Sequence, residues 1–240
     1  MIEVKMVEVI ERIFSFEKKV FLSNLELYGR LARHGQSPQA LIIACADSRI
    51  APEHIMQAEP GDLFVTRNVG NIVPPFSQAN GGVTSVVEYA VTALGVRDIV
   101  VCGHSDCGAM KALARPEALA QMPNVSAWLR HAEAARKVVD ELDPGLDDKA
   151  RLHAVALENI NVQLTQLKTH PSVAAAIAQG RLALHGWFVD IHAGEILALN
   201  AENGAFVAVR EGNTLPVAMP RRSPRALSSG RQAAGAELRA

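Results

Sequence analysis

The sequence predicts an α/β fold in which a mainly parallel central sheet is flanked by helices. Short apolar runs alternate with longer segments whose apolar residues recur at helical spacing, and strands separated by helices are typical of parallel sheets. An amphipathic segment precedes the first apolar run. Ligand sites in such sheets lie beyond the carboxyl ends of the strands, so we expect function at the turns there.

The elements can be assigned in chain order. Val4, Val7, Ile10 and Phe14 lie near helical spacing, which predicts one or two amphipathic helices over residues 2–32. Runs with strand character then occupy residues 39–45, 62–66, 98–102, 182–191 and 195–200. The later segments with helical character occupy about residues 81–94, 123–140 and 148–169.

Several boundaries follow from the residues between these runs. Residues 39–45 (Gln-Ala-Leu-Ile-Ile-Ala-Cys) are almost uninterruptedly apolar, as in a strand that is buried on both faces. Gly103 is expected to close the strand over 98–102, and Pro171 to stop the long helical region. Ala193-Gly194 suits a turn between the last two strands.

Composition excludes several functional classes. Of the 240 residues, 49% are hydrophobic and 20% charged, which is typical of a globular protein with a full core. The net charge of −1 gives no electrostatic support for binding nucleic acid or an anionic membrane. Glu3 and Glu8 interrupt the N-terminal segment and no run approaches about 18 apolar residues, so we expect neither a signal peptide nor a membrane span. Three cysteines are too few for a disulfide framework, which favours a reducing, cytoplasmic location.

The C-terminal end differs from the rest of the chain. Residues 220–240 contain five arginines against one glutamate and are rich in Ser, Gly, Ala and Pro. This composition predicts a flexible basic tail. We expect residues 1–219 to form a single domain.

Two of the predicted strands end on turns that contain cysteine. Cys45 ends the first strand, and His104 and Cys107 follow the third. If these strands are parallel neighbours, the three side chains converge, and two thiolates with one imidazole suit zinc with a fourth position open for water. A His-x-x-Cys pair alone more often binds nothing, and a lone cysteine at a strand end is usually packing. Cys102, inside the strand, is expected to be a small buried apolar residue.

Asp47 and Arg49 add a charged pair directly after Cys45. A carboxylate at this distance from a metal thiolate can bind the metal or accept a hydrogen bond from bound water. The planar guanidinium of Arg49 can hold Asp47 in one of these roles. A local ion pair that caps the next helix is the structural alternative, and it is compatible with the functional one.

Five segments resemble the β-class carbonic anhydrases. They are Cys45-Ala46-Asp47-Ser48-Arg49, the run from Gly61 to Asn71, the run from Gly82 to Tyr89, Gly103-His104-Ser105-Asp106-Cys107-Gly108-Ala109, and His185-Gly186-Trp187. The similarity extends over about residues 5–215. These motifs are long and correctly ordered, and the closest likeness is to the plant-like and bacterial branch.

The resemblance implies an enzyme that hydrates CO2 reversibly to bicarbonate and a proton. Cys45, His104 and Cys107 match the ligands of one Zn²⁺ per chain, and Asp47 and Arg49 match the catalytic dyad that orients a zinc-bound hydroxide. The implied fold has N-terminal helices that extend over a dimer partner. The chain is therefore expected to be a homodimer or a dimer-based higher oligomer with active sites at the dimer interface.

The same resemblance assigns a substrate pocket. Phe64, Val69 and Tyr89 match its apolar and aromatic residues, and Gln36 matches a glutamine that contacts CO2. Gln36 and Tyr89 would come from the partner subunit. An apolar pocket beside the nucleophile suits a small, neutral substrate.

Two other functions remain open at this point. One is hydrolysis of CS2 or COS on the same scaffold, since the same nucleophile could attack those carbons. The other is a non-catalytic zinc-binding scaffold, which the presence of Asp47 and Arg49 disfavours.

Overall fold

A computed structural model describes residues 6–77 and 81–212. The predicted tail over 220–240 lies outside the described residues. The helices are α1 (Met6–Phe16), α2 (Leu25–His34), α3 (Pro52–Ile55), α4 (Gly82–Thr92), α5 (Gly108–Ala114), α6 (Pro123–Leu129), α7 (Glu133–Leu142), α8 (Asp148–Leu167) and α9 (Pro171–Ala178). The strands are β1 (Ala40–Cys45), β2 (Leu63–Asn68), β3 (Asp98–His104), β4 (Ala183–Asp190), β5 (Glu195–Leu199) and β6 (Phe206–Ala208).

The six strands form one sheet in the order β2-β1-β3-β4-β5-β6. The strands β2, β1, β3 and β4 are parallel, whereas β5 and β6 are antiparallel additions at one edge. The predicted mainly parallel α/β fold is thus confirmed, as is the turn between β4 and β5. Because the first four strands run in one direction, their carboxyl ends all lie at the same edge of the sheet.

Both faces of the central strands are covered. Leu41 and Ile43 of β1 point into the larger core cluster, whereas Ile42 and Ala44 belong to a smaller cluster on the opposite face. This alternation follows from the two-residue period of a strand. Burial on both faces explains why β1 is an uninterrupted apolar run.

Helix α8 packs unusually close to the sheet. A Cβ added to Gly186 would lie 2.7 Å from Cγ2 of Ile160, and one added to Gly103 would lie 3.0 Å from Cδ1 of the same side chain. Only glycine admits this approach at Gly186 without displacement of the helix. The contact brings the buried face of α8 directly against β3 and β4.

Some predicted boundaries were wrong. Gly103 does not close the third strand, which continues to His104, because this glycine serves the contact with α8 rather than a turn. Pro171 does stop the long helix, but it also occupies the first turn of α9, a position that needs no backbone N–H. The short elements α3, α5 and β6 had no periodic signal of their own.

The N-terminal helix has an apolar face that the single chain leaves exposed. Met6, Ile13 and Phe14 of α1 retain 72%, 63% and 66% of their accessible surface. Exposed apolar faces of this kind are typical of protein–protein contact surfaces. The extension of this helix over a dimer partner stays a prediction. No helix within the described ranges combines the length and apolarity needed to cross a membrane.

Candidate metal centre

The carboxyl ends of β1 and β3 place three potential metal ligands side by side. The two strands are parallel neighbours, with Ala44 opposite Cys102, so that Cys45 and His104 emerge at the same edge. A short turn then brings Cys107 to the position directly before α5. The convergence expected from the sequence is therefore present in the fold.

The donor atoms form one compact group. The sulfur atoms of Cys45 and Cys107 lie 3.9 Å apart, and the ligand atoms of Cys45, His104 and Cys107 all lie within 4.8 Å of one another. Two sulfurs bound to one tetrahedral zinc at about 2.3 Å would be about 3.8 Å apart. The three residues are 5%, 1% and 2% exposed, and no disulfide joins the cysteines. The spacing and burial suit a shared metal ion.

The histidine is oriented for ligation. Nδ1 of His104 lies 2.8 Å from the carbonyl oxygen of Ser105, which can only accept, so Nδ1 carries the hydrogen. In the neutral imidazole, Nε2 is then the nitrogen with the free lone pair, and among the described residues it is buried without a hydrogen-bond partner. Metal-binding histidines are commonly fixed in this way through the other ring nitrogen.

The two thiols share one proton, which favours the thiolate at Cys45. The pKa of Cys45 is lowered to about 4, chiefly by the hydrogen bond from the Cys107 thiol, with burial opposing and His104 assisting. The same pairing and burial raise the pKa of Cys107. Backbone N–H groups also favour both thiolates, those of Gly70 and Asp47 at Cys45 and those of Ala109 and Met110 at Cys107. A divalent cation would displace the thiol proton that the two sulfurs share.

A carboxylate–guanidinium pair flanks this group. Nε of Arg49 donates to Oδ1 of Asp47 at 2.9 Å, and Nη2 donates to Oδ2 at 2.7 Å. The backbone N–H of Arg49 donates to Oδ1 as well, at 3.0 Å. The Arg49 side chain is the main cause of a pKa of Asp47 well below its usual range. Oδ2 of Asp47 lies 3.9 Å from Nε2 of His104, so the ionised carboxylate borders the donor group.

Arg67 supports the same turn from β2. Its Nε donates to the carbonyl oxygen of Cys45 at 3.0 Å, and its Nη2 donates to that of Asp47 at 2.7 Å. The sequence places Arg67 within a quoted motif, but nothing in the pattern reveals that it holds the backbone on both sides of Ala46.

A buried polar network supports the loop that follows β2. Nδ2 of Asn159 donates to the carbonyl oxygen of Gly70 at 3.1 Å, and Gln163 donates to Oδ1 of Asn159 at 2.8 Å. The backbone N–H of Val73 donates to Oε1 of Gln163 at 2.8 Å. Both side chains come from α8 and are at most 1% exposed. This network was not identified from the sequence. Its only signal in the sequence is the spacing of four residues between Asn159 and Gln163, which places both on one side of a long helix.

The predicted pocket residues lie on several elements. The rings of Phe64 and Tyr89 contact each other, with centroids 5.9 Å apart. Val69 is 41% exposed directly after β2, where its carbonyl oxygen accepts from Nε1 of Trp128 at 2.9 Å. Gln36 is exposed in the segment between α2 and β1. Cys102 lies apart from the ligands, in the smaller apolar cluster, where burial raises its pKa to about 12.

Residues 40–196 match the family model for carbonic anhydrase. The chain belongs to the β-carbonic anhydrase family. The match includes every candidate ligand together with Asp47 and Arg49. The match confirms the family resemblance that the motifs indicated. It also confirms the expected enzyme class, since carbonic anhydrases are lyases.

Similarity to individual carbonic anhydrases supports the same assignment. A carbonic anhydrase of Pseudomonas aeruginosa is 49% identical over 204 residues, which are 85% of this chain and 92% of that protein. Carbonic anhydrase 1 of Escherichia coli O157:H7 is 48% identical over 92% of this chain and its own full length. The structure of the β-carbonic anhydrase CcaA matches with a TM-score of 0.83 and 42% identity, over 88% of this chain and 95% of that one.

One structural relative also carries a stated assembly. A structure of tetrameric β-carbonic anhydrases from Sordaria macrospora matches with a TM-score of 0.71 and 33% identity, covering 85% of this chain and 98% of that one. The family thus includes proteins that are described as oligomers of this fold.

Proposed function

We propose that this β-carbonic anhydrase catalyses the reversible hydration of CO2 to bicarbonate and a proton, with one Zn²⁺ per chain. The observation that carries the proposal is the group formed by Cys45, His104 and Cys107 beside the ionised Asp47. Three buried soft and borderline donors next to a held carboxylate are the parts that metal-assisted hydration needs.

The donor set fits zinc. The 3.9 Å separation of the sulfurs agrees with the spacing on a tetrahedral ion. The buried Nε2 of His104 has no hydrogen-bond partner in the part of the chain that the structure describes. Three protein ligands leave one position for water, as in catalytic rather than structural sites. Zinc bound there would lower the pKa of a coordinated water toward neutrality and so supply a nucleophile.

Asp47 orients the attacking oxygen. Its carboxylate stays ionised because Arg49 donates to both of its oxygens. An ionised carboxylate can only accept, so it takes a hydrogen bond from the nucleophile and directs the free lone pair toward the carbon of CO2. The same two hydrogen bonds keep Asp47 away from the metal position. Arg49 therefore acts through Asp47.

The apolar substrate is held by contacts rather than by charge. Phe64, Val69 and Tyr89 supply the surface, and the amide of Gln36 donates a hydrogen bond to one oxygen of CO2. The contact between the rings of Phe64 and Tyr89 within one chain supports a shared role in one apolar surface. If Tyr89 serves the partner's metal centre, Phe64 accompanies it.

The assembly and location proposed for the chain rest on two observations. The exposed apolar face of α1 supports a homodimer or a dimer-based higher oligomer, in line with the tetrameric relatives. All three cysteines of the chain are free and buried, and two of them are needed as thiols, which supports a reducing, cytoplasmic environment.

The test is a stopped-flow assay of CO2 hydration on the purified chain, together with its zinc content and sulfide release from CS2. We expect about one zinc per chain and catalysed hydration that rises from pH 6 to 9 as the nucleophile deprotonates. Full zinc content with no hydration at any pH would favour a non-catalytic scaffold. Sulfide release without CO2 hydration would favour the CS2/COS hydrolase.

A further inference from the structure

The guanidinium of Arg49 has two carboxylate partners. Its inner edge donates to Asp47, as described above. Its outer edge faces Asp106, since Nη1 donates to Oδ2 of Asp106 at 3.0 Å and Nη2 donates to the backbone carbonyl oxygen of the same residue at 3.2 Å. The planar guanidinium presents fixed donor directions, so these contacts determine its orientation on two sides.

Asp106 is itself held in an uncommon conformation. Its φ is 59°, in the left-handed region that residues other than glycine, asparagine and aspartate rarely adopt. It lies in the turn between His104 and Cys107, and Lys111 of α5 forms an ion pair with its second oxygen. Strained residues of this kind persist where the surroundings fix them, often at functional sites.

We propose that Asp106 is a positioning residue that keeps Arg49 oriented toward Asp47, and that Lys111 fixes Asp106 in turn. The proposal rests on the CO2 hydration inferred above and adds to it a residue that contacts neither substrate nor metal. The Arg49 side chain is 45% exposed and long, and a single surface ion pair restrains such a chain weakly. A second carboxylate on the opposite edge removes most of the alternative orientations, so that the contact with Asp47 persists.

The φ of Asp106 provides the variants that separate its carboxylate from its backbone. Asp106→Gly keeps the left-handed conformation without strain and deletes the carboxylate. Asp106→Asn tolerates the same φ and keeps one neutral acceptor for Arg49. Lys111→Met leaves Asp106 in place but removes its second partner. Glu195→Gln is the matched control, because it removes the carboxylate partner of another exposed arginine, Arg210, whose ion pair spans 3.3 Å.

Two readouts are measured on the zinc-loaded full chain. The first is kcat/KM for CO2 hydration, with zinc content determined for each variant. The second is the rate at which phenylglyoxal modifies Arg49, followed by peptide mass spectrometry. A guanidinium that hydrogen bonds to carboxylates on both edges is shielded from this reagent, and the labelling rate does not depend on catalysis.

We expect Asp106→Gly to lower kcat/KM about fivefold and to raise the labelling rate of Arg49 severalfold at unchanged zinc content. Asp106→Asn and Lys111→Met should give smaller changes in the same directions, and Glu195→Gln should leave both readouts at the wild-type value. Wild-type labelling and wild-type kcat/KM in Asp106→Gly would overturn the proposal. An inactive wild type would refute the proposed hydration, while the labelling rates would still decide whether Asp106 holds Arg49.

Discussion

Replacing Asn159 with leucine tests whether α8 holds the loop beside the metal centre. Leucine has nearly the shape of asparagine, so the change removes hydrogen bonds without opening a large cavity. The carbonyl oxygen of Gly70 loses its donor at 3.1 Å, and Gln163 loses its acceptor at 2.8 Å but keeps the carbonyl oxygen of His131 at 3.2 Å. One buried carbonyl left without a partner reduces the free energy of unfolding by about 2 kcal/mol.

This loss has a thermal and a metal-binding consequence. For a chain of this length, about 2 kcal/mol corresponds to a fall in Tm of roughly 4–8 °C. The backbone N–H of Gly70 also favours the Cys45 thiolate, so a displaced loop weakens zinc affinity as well. Loss of a group that hydrogen bonds to a metal ligand lowers the affinity by about tenfold or more, and we expect a decrease of about tenfold here. Both effects follow from the single contact between Asn159 and Gly70.

The assays are thermal denaturation followed by circular dichroism at a fixed protein concentration and zinc competition against a chromophoric chelator. Asn161→Leu is the matched control, because Asn161 lies on the same helix, donates to Oε2 of Glu158 at 2.8 Å and has no tie to the loop. We expect the control to stay within about 2 °C of wild type. Equal Tm values and equal zinc affinities in Asn159→Leu and Asn161→Leu would show that Asn159 does not hold the loop beside the metal centre.

Three further predictions concern the ligands, the ionised carboxylate and the loop. Cys107→Ser should lose most of its zinc to dialysis against a chelator, whereas Cys102→Ala should retain about one zinc per chain. Equal zinc content of the two variants in a metal analysis would contradict the choice of Cys107 as a ligand. Because the folded pKa of Asp47 lies below the unfolded value of about 3.9, its ionised form stabilises the fold above about pH 4, and this stabilisation is lost as pH falls through the folded value. The difference in free energy of unfolding between wild type and Asp47→Asn, measured by urea denaturation, should therefore be constant from pH 8 to 5 and decrease below about pH 4. A difference that already decreases at pH 6 would be inconsistent with a lowered pKa of Asp47. Gly70→Ala should lower Tm more than Gly204→Ala. Both glycines have positive φ, but only a Cβ at Gly70 would meet another side chain, at 3.0 Å from Cβ of Ala109. Equal decreases in Tm would show that this close approach is unimportant.

The group of candidate ligands was predictable because its signals are local and its placement follows from topology. Cys45 ends one apolar run, His104 and Cys107 follow another, and parallel neighbouring strands bring such ends together. The pairing of Arg49 with Asp47 spans only two positions, so the side chains reach each other whatever the rest of the chain does.

The supporting contacts could not be predicted, because they join residues far apart in sequence. Arg67 reaches the β1 turn across a strand pair, and Asn159 reaches Gly70 from a helix that begins 78 residues later. Gly103 misled the strand prediction, since its role depends on the approach of α8, which the sequence does not show. The contact between Arg49 and Asp106 depends on the left-handed φ of Asp106, which no local sequence pattern predicts.

The role of Asp47 in CO2 hydration is tested by the rate of zinc-loaded wild type, measured by stopped flow at pH 8 beside Asp47→Asn. Asparagine has the same size as aspartate but no charge, so zinc content and fold should be preserved. We expect catalysed hydration by wild type and a loss of about a hundredfold or more in kcat/KM for the variant. Equal rates in the two proteins at equal zinc content, or no hydration by wild type, would contradict this expectation.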